Sequence, residues 1–260
     1  KYFIIVFKFV ISENHNGIAV NFINNFCIKL VYKVIFYLGV MMHKTVQNLI
    51  NIENEIKSNL NDLTNTNLPK IIAVSKTFKI DKIFPLIEHG HLDFGENKVQ
   101  EAVDKWSKIK EEKPELKLHM IGRLQTNKVK IAVKLFDFIH SVDSKKLAKK
   151  IADEQIKIQR KIKIFIQVNI GGEEQKSGVN KNELEGLISY GKEIGLDIIG
   201  LMCIPPIDLD PLKFFIKMDE INKSFNFQDL SMGMSSDYLD AAKNHSTYLR
   251  IGSSIFGQRT

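Results

Sequence analysis

Cysteine is nearly absent from this chain of 260 residues. Only Cys27 and Cys203 occur. That excludes a disulfide scaffold and points to a reducing, cytoplasmic compartment. No cluster of His and Cys has the spacing of a zinc site. No basic stripe carries the interleaved aromatics of a nucleic-acid surface. The net charge of +7 comes largely from lysines alternating with glutamates, as in residues 108–113, the pattern of solvated helix faces. Nucleic acid is therefore not an expected partner. No apolar run is long and clean enough to span a bilayer. The longest, residues 26–40, is broken by Lys29 and Lys33, each costing about 3 kcal/mol near a bilayer centre. No cleavage site of a secretory signal follows it. No dinucleotide glycine fingerprint follows the first strand, which counts against a Rossmann fold.

What is present divides near residue 42. Residues 1–42 open on Lys1 and are rich in Phe, Ile, Val and Asn. Met41 and Met42 stand just before a clean amphipathic helix, so native translation is expected to start at one of them. Residues 1–42 are then an extension outside the folded protein, with a membrane anchor as the other reading. The folded part is expected over 43–260, with no membrane association.

Apolar positions Val46, Leu49, Ile50, Ile52, Ile56 and Leu60 give a first helix over 43–61. A polar linker, 61–69, follows. Strands are predicted at 71–75, 91–97, 118–122, 138–142, 162–169, 198–203, 229–234 and 248–251. Helices are predicted at 82–89, 99–112, 127–135, 144–158, 182–194, 211–225 and 238–244, with a last turn over 252–256. Asp81 is the expected cap of the second helix and Asp143 or Ser144 that of a later one. Strict alternation implies parallel strands joined by right-handed crossovers. Eight units without remainder favour a closed (β/α)8 TIM barrel, one domain with an extra N-terminal helix. Active sites of such barrels lie at the C-terminal strand ends. Those ends are Lys76, Asn97, Gly122-Arg123, Asp143, Asn169, Met202-Cys203, Met234-Ser235 and Arg250 with Gly252-Ser253.

Two of these ends carry chemistry. In Ile71-Ile72-Ala73-Val74-Ser75-Lys76-Thr77, a lysine closes a buried strand. Low-dielectric walls disfavour an ammonium, and a neutral amine is what Schiff-base chemistry with an aldehyde requires. A lysine in this position is more often a solvated loop residue, so the rest of the chain must decide. The loops after strands seven and eight read Met232-Gly233-Met234-Ser235-Ser236 and Arg250-Ile251-Gly252-Ser253-Ser254. Glycine lets the backbone approach a phosphate, and amides and hydroxyls donate to it. Helix capping by the serines is the plainer reading and is compatible with it. Barrel closure puts lysine and phosphate site side by side, which suits pyridoxal phosphate.

Further segments sharpen this. They are Phe94-Gly95-Glu96-Asn97, His119-Met120-Ile121-Gly122 with Leu124-Gln125-Thr126-Asn127-Lys128, Gln167-Val168-Asn169 with Lys176-Ser177-Gly178, and Gly200-Leu201-Met202-Cys203-Ile204-Pro205. With the three above, they make residues 43–260 resemble the pyridoxal phosphate homeostasis proteins, whose barrel is like the N-terminal domain of alanine racemase. The resemblance implies pyridoxal 5′-phosphate (PLP) held as a Schiff base on Lys76. It places the phosphate on Ser235, Gly252 and Ser253, the pyridine nitrogen opposite Arg250, and Asn97 along the cofactor. Ser253 stands for a more usual threonine and Arg123 for a frequent proline. It also implies a monomer that passes PLP to apo-enzymes.

Arg250 bears on catalysis. Arginine is donor-only and supplies no proton readily to the ring nitrogen, so the ring is a weak electron sink. Racemases with this arrangement add a second base from another domain, and the chain ends at Thr260, soon after the eighth strand. Tyr238 and Tyr248 are the nearby tyrosines, with packing the more ordinary role. A non-catalytic PLP carrier is expected. The alternatives are an amino-acid racemase-type enzyme and a ligand-free interaction barrel.

Overall fold

Short runs of Ile, Val, Leu and Phe, each flanked by a charged or turn residue, form eight parallel strands in the computed structural model. It describes residues 42–60, 68–173 and 175–258. Expectations for residues 1–41 and for the linker at 61–67 lie outside the described residues. Chain contacts part the molecule between Met42 and His43, and the second unit, His43–Thr260, contains the barrel.

Helix α1, Lys44–Leu60, precedes the barrel. Strands and helices then alternate: β1 Lys70–Val74, α2 Ile80–Glu88, β2 Asp93–Glu96, α3 Val99–Glu112 and β3 Lys117–Met120. A 3-10 turn, Thr126–Lys128, leads into α4 Val129–Leu135. Next come β4 Phe138–Val142, α5 Lys145–Lys157, β5 Lys163–Val168, α6 Lys181–Glu193 and β6 Asp197–Cys203. The chain closes with α7 Leu212–Ser224, β7 Asp229–Ser231, α8 Tyr238–Lys243, β8 Tyr248–Ile251 and α9 Ser253–Phe256. The sheet is a closed barrel in sequence order, β1 to β8. Its seam is the β1–β8 pair, with Ile72 opposite Arg250 and Ala73 opposite Ile251.

Alternation along each strand sends side chains to two separate cores. Outside, strand residues pack against the helices in one cluster that includes Leu49, Phe94, Trp106 and Phe215. Inside the barrel, Ile72, Phe138, Phe165, Met202 and Tyr248 form a second cluster. Helix α1 buries Val46, Leu49, Ile52, Ile56 and Leu60 on one face and packs against α2, α8 and α9. As α9 is only four residues long, α1 supplies the cover that a full helix after β8 gives other barrels.

Two local expectations are corrected. Helix α2 starts at Ile80, with Lys79 at its cap position, and Asp81 sits in the first turn. There the carboxylate still faces the positive end of the helix dipole. Strand β7 ends at Ser231 rather than at residue 234, because Gly233 takes φ +89° and turns the chain. A Cβ there would lie 2.5 Å from Cβ of Ala241, so only glycine fits. Ser144, one of the two expected caps, accepts a hydrogen bond from the amide of Leu147. Among the described residues no helix is long and apolar enough to cross a membrane.

Candidate functional site at the C-terminal mouth of the barrel

The seam sets the geometry. Gly252 follows β8 directly, and a Cβ on it would meet Val74 Cβ at 3.4 Å. The ends of β1 and β8 are thus in van der Waals contact, and Lys76 follows Val74 two residues on. Lys76 is half-buried in a turn. Its neighbour Thr77 has φ +67°, a left-handed conformation that a β-branched residue adopts only under constraint. The constraint is visible, because the Thr77 amide donates to Glu101 Oε1 at 2.5 Å.

A polar clamp holds this turn from behind. Glu96, fully buried at the end of β2, accepts from Ser75 Oγ at 2.8 Å, Lys105 Nζ at 2.8 Å and Trp106 Nε1 at 3.0 Å, all on Oε1. Lys105 also reaches the Ser75 carbonyl at 2.9 Å and Glu101 Oε1 at 3.1 Å. Burial pushes the Glu101 carboxyl up, but the Thr77 amide and the Lys105 ammonium outweigh it and its pKa falls below the usual value. A carboxylate at Glu101 therefore persists to hold the strained turn beside Lys76.

The loops after β7 and β8 converge. Ser235 Oγ accepts from the amides of Gly252 at 3.2 Å and Ser254 at 3.3 Å, while Ser254 Oγ donates to the Ser235 carbonyl at 3.3 Å. Ser253 is exposed at the first position of α9. Ser254, which the motif reading did not single out, is the serine tied to Ser235. Asp237 Oδ1 accepts from the Met234 amide at 2.6 Å and closes the β7 loop.

Arg250 points into the barrel and is 4% exposed. Its Nη1 donates to Ser231 Oγ at 2.7 Å and its Nη2 to the Cys203 carbonyl at 2.9 Å. Burial pushes the neighbouring Cys203 thiol up to about 12, so that sulfur stays protonated and inert. Asn97 lies at the end of β2. Its Oδ1 is buried and has no hydrogen-bond partner among the described residues. Its backbone touches the next strand end, where a Cβ on Gly122 would come within 2.3 Å of the Asn97 carbonyl oxygen.

The two tyrosines are engaged elsewhere. Tyr238 donates from its hydroxyl to Glu55 Oε2 of α1 at 2.5 Å, and Tyr248 lies inside the barrel, where Lys70 Nζ donates to its hydroxyl at 3.3 Å. Burial, together with nearby carboxylates, raises both phenols above their usual value. Among the described residues no group of three His, Cys, Asp or Glu side chains is placed to hold a metal ion.

These features define a class: a parallel (β/α)8 barrel whose C-terminal mouth carries a lysine just after β1 beside glycine–serine loops after β7 and β8. The chain belongs to the family described as alanine racemase, N-terminal domain, whose model matches residues 53–260, and within it to the pyridoxal phosphate homeostasis proteins. A relative of that name from Aquifex aeolicus is 38% identical over 203 residues, covering 74% of this chain and 88% of the relative. The solved structure of PipY from Synechococcus elongatus with PLP bound superposes with a TM-score of 0.69 at 31% identity, covering 78% of this chain and all of PipY. Alanine racemase from Clostridium difficile shares the fold, with a TM-score of 0.64 at 15% identity over 83% of this chain and 56% of that enzyme.

Proposed function

We propose that the protein binds PLP at this mouth, covalently through Lys76 Nζ, and serves in PLP homeostasis as a carrier. The observation that carries the reading is the convergence, across the β1–β8 seam, of the Lys76 turn with the amides of Gly252 and Ser254. The residues present fit the group. Both amides now donate to Ser235 Oγ, and Ser254 Oγ donates to the Ser235 carbonyl. A phosphate oxygen in the place of Ser235 Oγ would receive the two amides, with the hydroxyls of Ser235 and Ser253 beside it. The orphaned Oδ1 of Asn97 is a buried acceptor facing a need for a donor. PLP has been seen in the related PipY.

When bound, the cofactor supplies an aldehyde to the lysine amine and a ring able to take up electron density. The chain's own residues then determine its use. Glu101 and Lys105 hold the Lys76 turn in place. The amides of Gly252 and Ser254 would turn from Ser235 Oγ to the anionic end. Arg250, held by Ser231 and the Cys203 carbonyl, would be the group offered to the ring nitrogen; it is donor-only and gives up no proton readily, so it would leave the ring a weak electron sink. Tyr238 is turned to Glu55, and Tyr248 stands at the start of β8 beside Lys70, at the other end of the strand from the mouth, so neither is offered as a base. This arrangement supports carriage to apo PLP-dependent enzymes over turnover. A cytoplasmic location suits the free buried thiol of Cys203. A monomer suits α1, whose outer face is polar, with Asn51, Glu53, Asn54, Glu55 and Lys57 exposed.

The test is borohydride reduction of the protein mixed with PLP, followed by peptide mapping. One label on Lys76, lost with the visible absorption in Lys76→Ala, is the expected outcome. Label scattered over surface lysines would sink the assignment. Amino-acid racemisation that disappears in Lys76→Ala would move the reading from carrier to enzyme.

A further inference from the structure

A line of polar side chains runs through the interior of the barrel, away from the mouth. Arg250 Nη1 donates to Ser231 Oγ at 2.7 Å. Ser231 Oγ lies 2.9 Å from His140 Nδ1. His140 Nε2 lies 3.0 Å from His119 Nδ1, and His119 Nε2 lies 3.0 Å from Asp93 Oδ1. The five residues come from five strands: β8, β7, β4, β3 and β2. Ser231, His140 and His119 are wholly buried. Asp93 begins β2 and is half-buried, so the line ends at the opposite, N-terminal face.

The rings are clamped. His119 stacks on Phe138 with centroids 4.2 Å apart and 13° between planes. His140 stacks on Phe165 at 4.3 Å and 21°, with the Tyr248 ring edge-on at 6.1 Å. The stacking resists rotation of either imidazole, and a half-turn would move its nitrogens off their hydrogen-bond partners.

Counting protons from the fixed ends leaves one arrangement. A carboxylate only accepts, so His119 Nε2 carries a hydrogen toward Asp93. Burial holds both imidazoles below their usual pKa, His140 well below, with His119 and the Arg250 charge adding to the effect there. A neutral His119 then has a bare Nδ1, which requires a hydrogen on His140 Nε2. A neutral His140 has a bare Nδ1, which requires the Ser231 hydroxyl to donate to it. Ser231 is left with lone pairs for Arg250, which only donates. Every hydrogen points from Arg250 toward Asp93, and every bare acceptor points back toward the guanidinium. Aligned in this way, the bonds polarise one another in a low-dielectric interior.

We infer that His140 and His119 are positioning residues in a one-way hydrogen-bonded rod, anchored on Asp93, that fixes Ser231 as the acceptor for Arg250 and so sets the guanidinium edge presented to the bound ring. The last clause rests on the proposed PLP site; the direction of the rod does not.

The experiment is long-range proton–nitrogen NMR of uniformly 15N-labelled, ligand-free protein at pH 7, with the two imidazoles assigned from His119→Gln and His140→Gln. Both are expected as neutral Nε2–H tautomers. In Asp93→Leu the tautomer signal of His140, two hydrogen bonds away, shifts toward a mixture, while Asp93→Asn, which keeps an accepting oxygen, retains the wild-type pattern. Should Asp93→Leu not fold, His119→Phe cuts the rod within the same ring stack and gives the same change at His140. An imidazolium or an Nδ1–H tautomer in the wild-type protein overturns the inference, as does a His140 signal indifferent to both cuts. None of these readouts needs PLP. Failed borohydride labelling of Lys76 removes the ligand and leaves the rod, whereas failed NMR predictions remove the rod and leave the ligand.

Discussion

Gly233 shows how much one residue bears. Its φ of +89° turns the chain out of β7, and its carbonyl accepts from the Arg250 amide at 3.0 Å. A methyl group here is strained twice, by the left-handed backbone and by the 2.5 Å approach to Ala241 Cβ. Gly233→Ala is expected to destabilise the fold by about 1–3 kcal/mol, read as a lowered urea midpoint with an unchanged slope. An unchanged midpoint would show that the β7 loop relaxes freely. Thr77 is the reverse case: a β-branched residue at φ +67° beside Lys76, held by the carboxylate of Glu101. Strain of this kind is stored where position matters more than stability.

Among the elements, α1 has the largest consequence for its position in the chain. It lies outside the eight repeats, yet it covers the ground behind α9, where Asn48 Nδ2 donates to the Ile255 carbonyl at 2.8 Å. Leu49 is 1% exposed within this contact. Leu49→Ala is expected to cost about 2–5 kcal/mol, while Asn51→Ala, on the exposed face, changes the thermal midpoint little. Equal effects of the two would mean that α1 is not part of the packed barrel. The elements themselves were legible in the sequence, because apolar periodicity and flanking turn residues act locally. Residues 99–112 and 138–142 agree with the prediction at both ends. That the ends of β1 and β8 meet, and that Ser235 meets Gly252, was legible too, since closure of eight strands dictates which ends are neighbours. What was hidden is the set of side-chain partnerships. Glu96 reads as one acidic residue among many until β2 and α3 place Ser75, Lys105 and Trp106 on it. The tie of Ser254 to Ser235 depends on the turn of a four-residue helix. His119 and His140 read as isolated histidines, because their contact depends on the register of β3 with β4.

For the molecule as a whole, the buried histidines set the response to acid. Burial lowers the pKa of His91, His119 and His140 in the folded state. Between those values and the unfolded value near 6.5, the unfolded chain binds protons that the folded one does not. Stability is therefore full above about pH 6.5 and falls as pH drops below it, by up to about 1.4 kcal/mol per pH unit for each histidine. Asp93, whose burial is outweighed by the His119 hydrogen bond so that its pKa is lowered, adds a further loss only in the carboxylate range. Asp237 and Glu53, raised by burial, act in the opposite sense there, so the clean window is pH 5–7. Urea midpoints at pH 5, 6 and 7 are expected to rise in that order; a flat series would mean that the imidazoles are charged inside the barrel. The closed sheet has one more consequence. Lys76 and the Gly252–Ser254 cradle belong to the first and last strands, and only the β1–β8 seam joins them. A chain still emerging from the ribosome, or one with a frayed seam, owns the lysine but not the cradle. On the proposed reading, capture of PLP would require the last strand to be in place, and the bound ligand would in turn stabilise the closed ring by mass action.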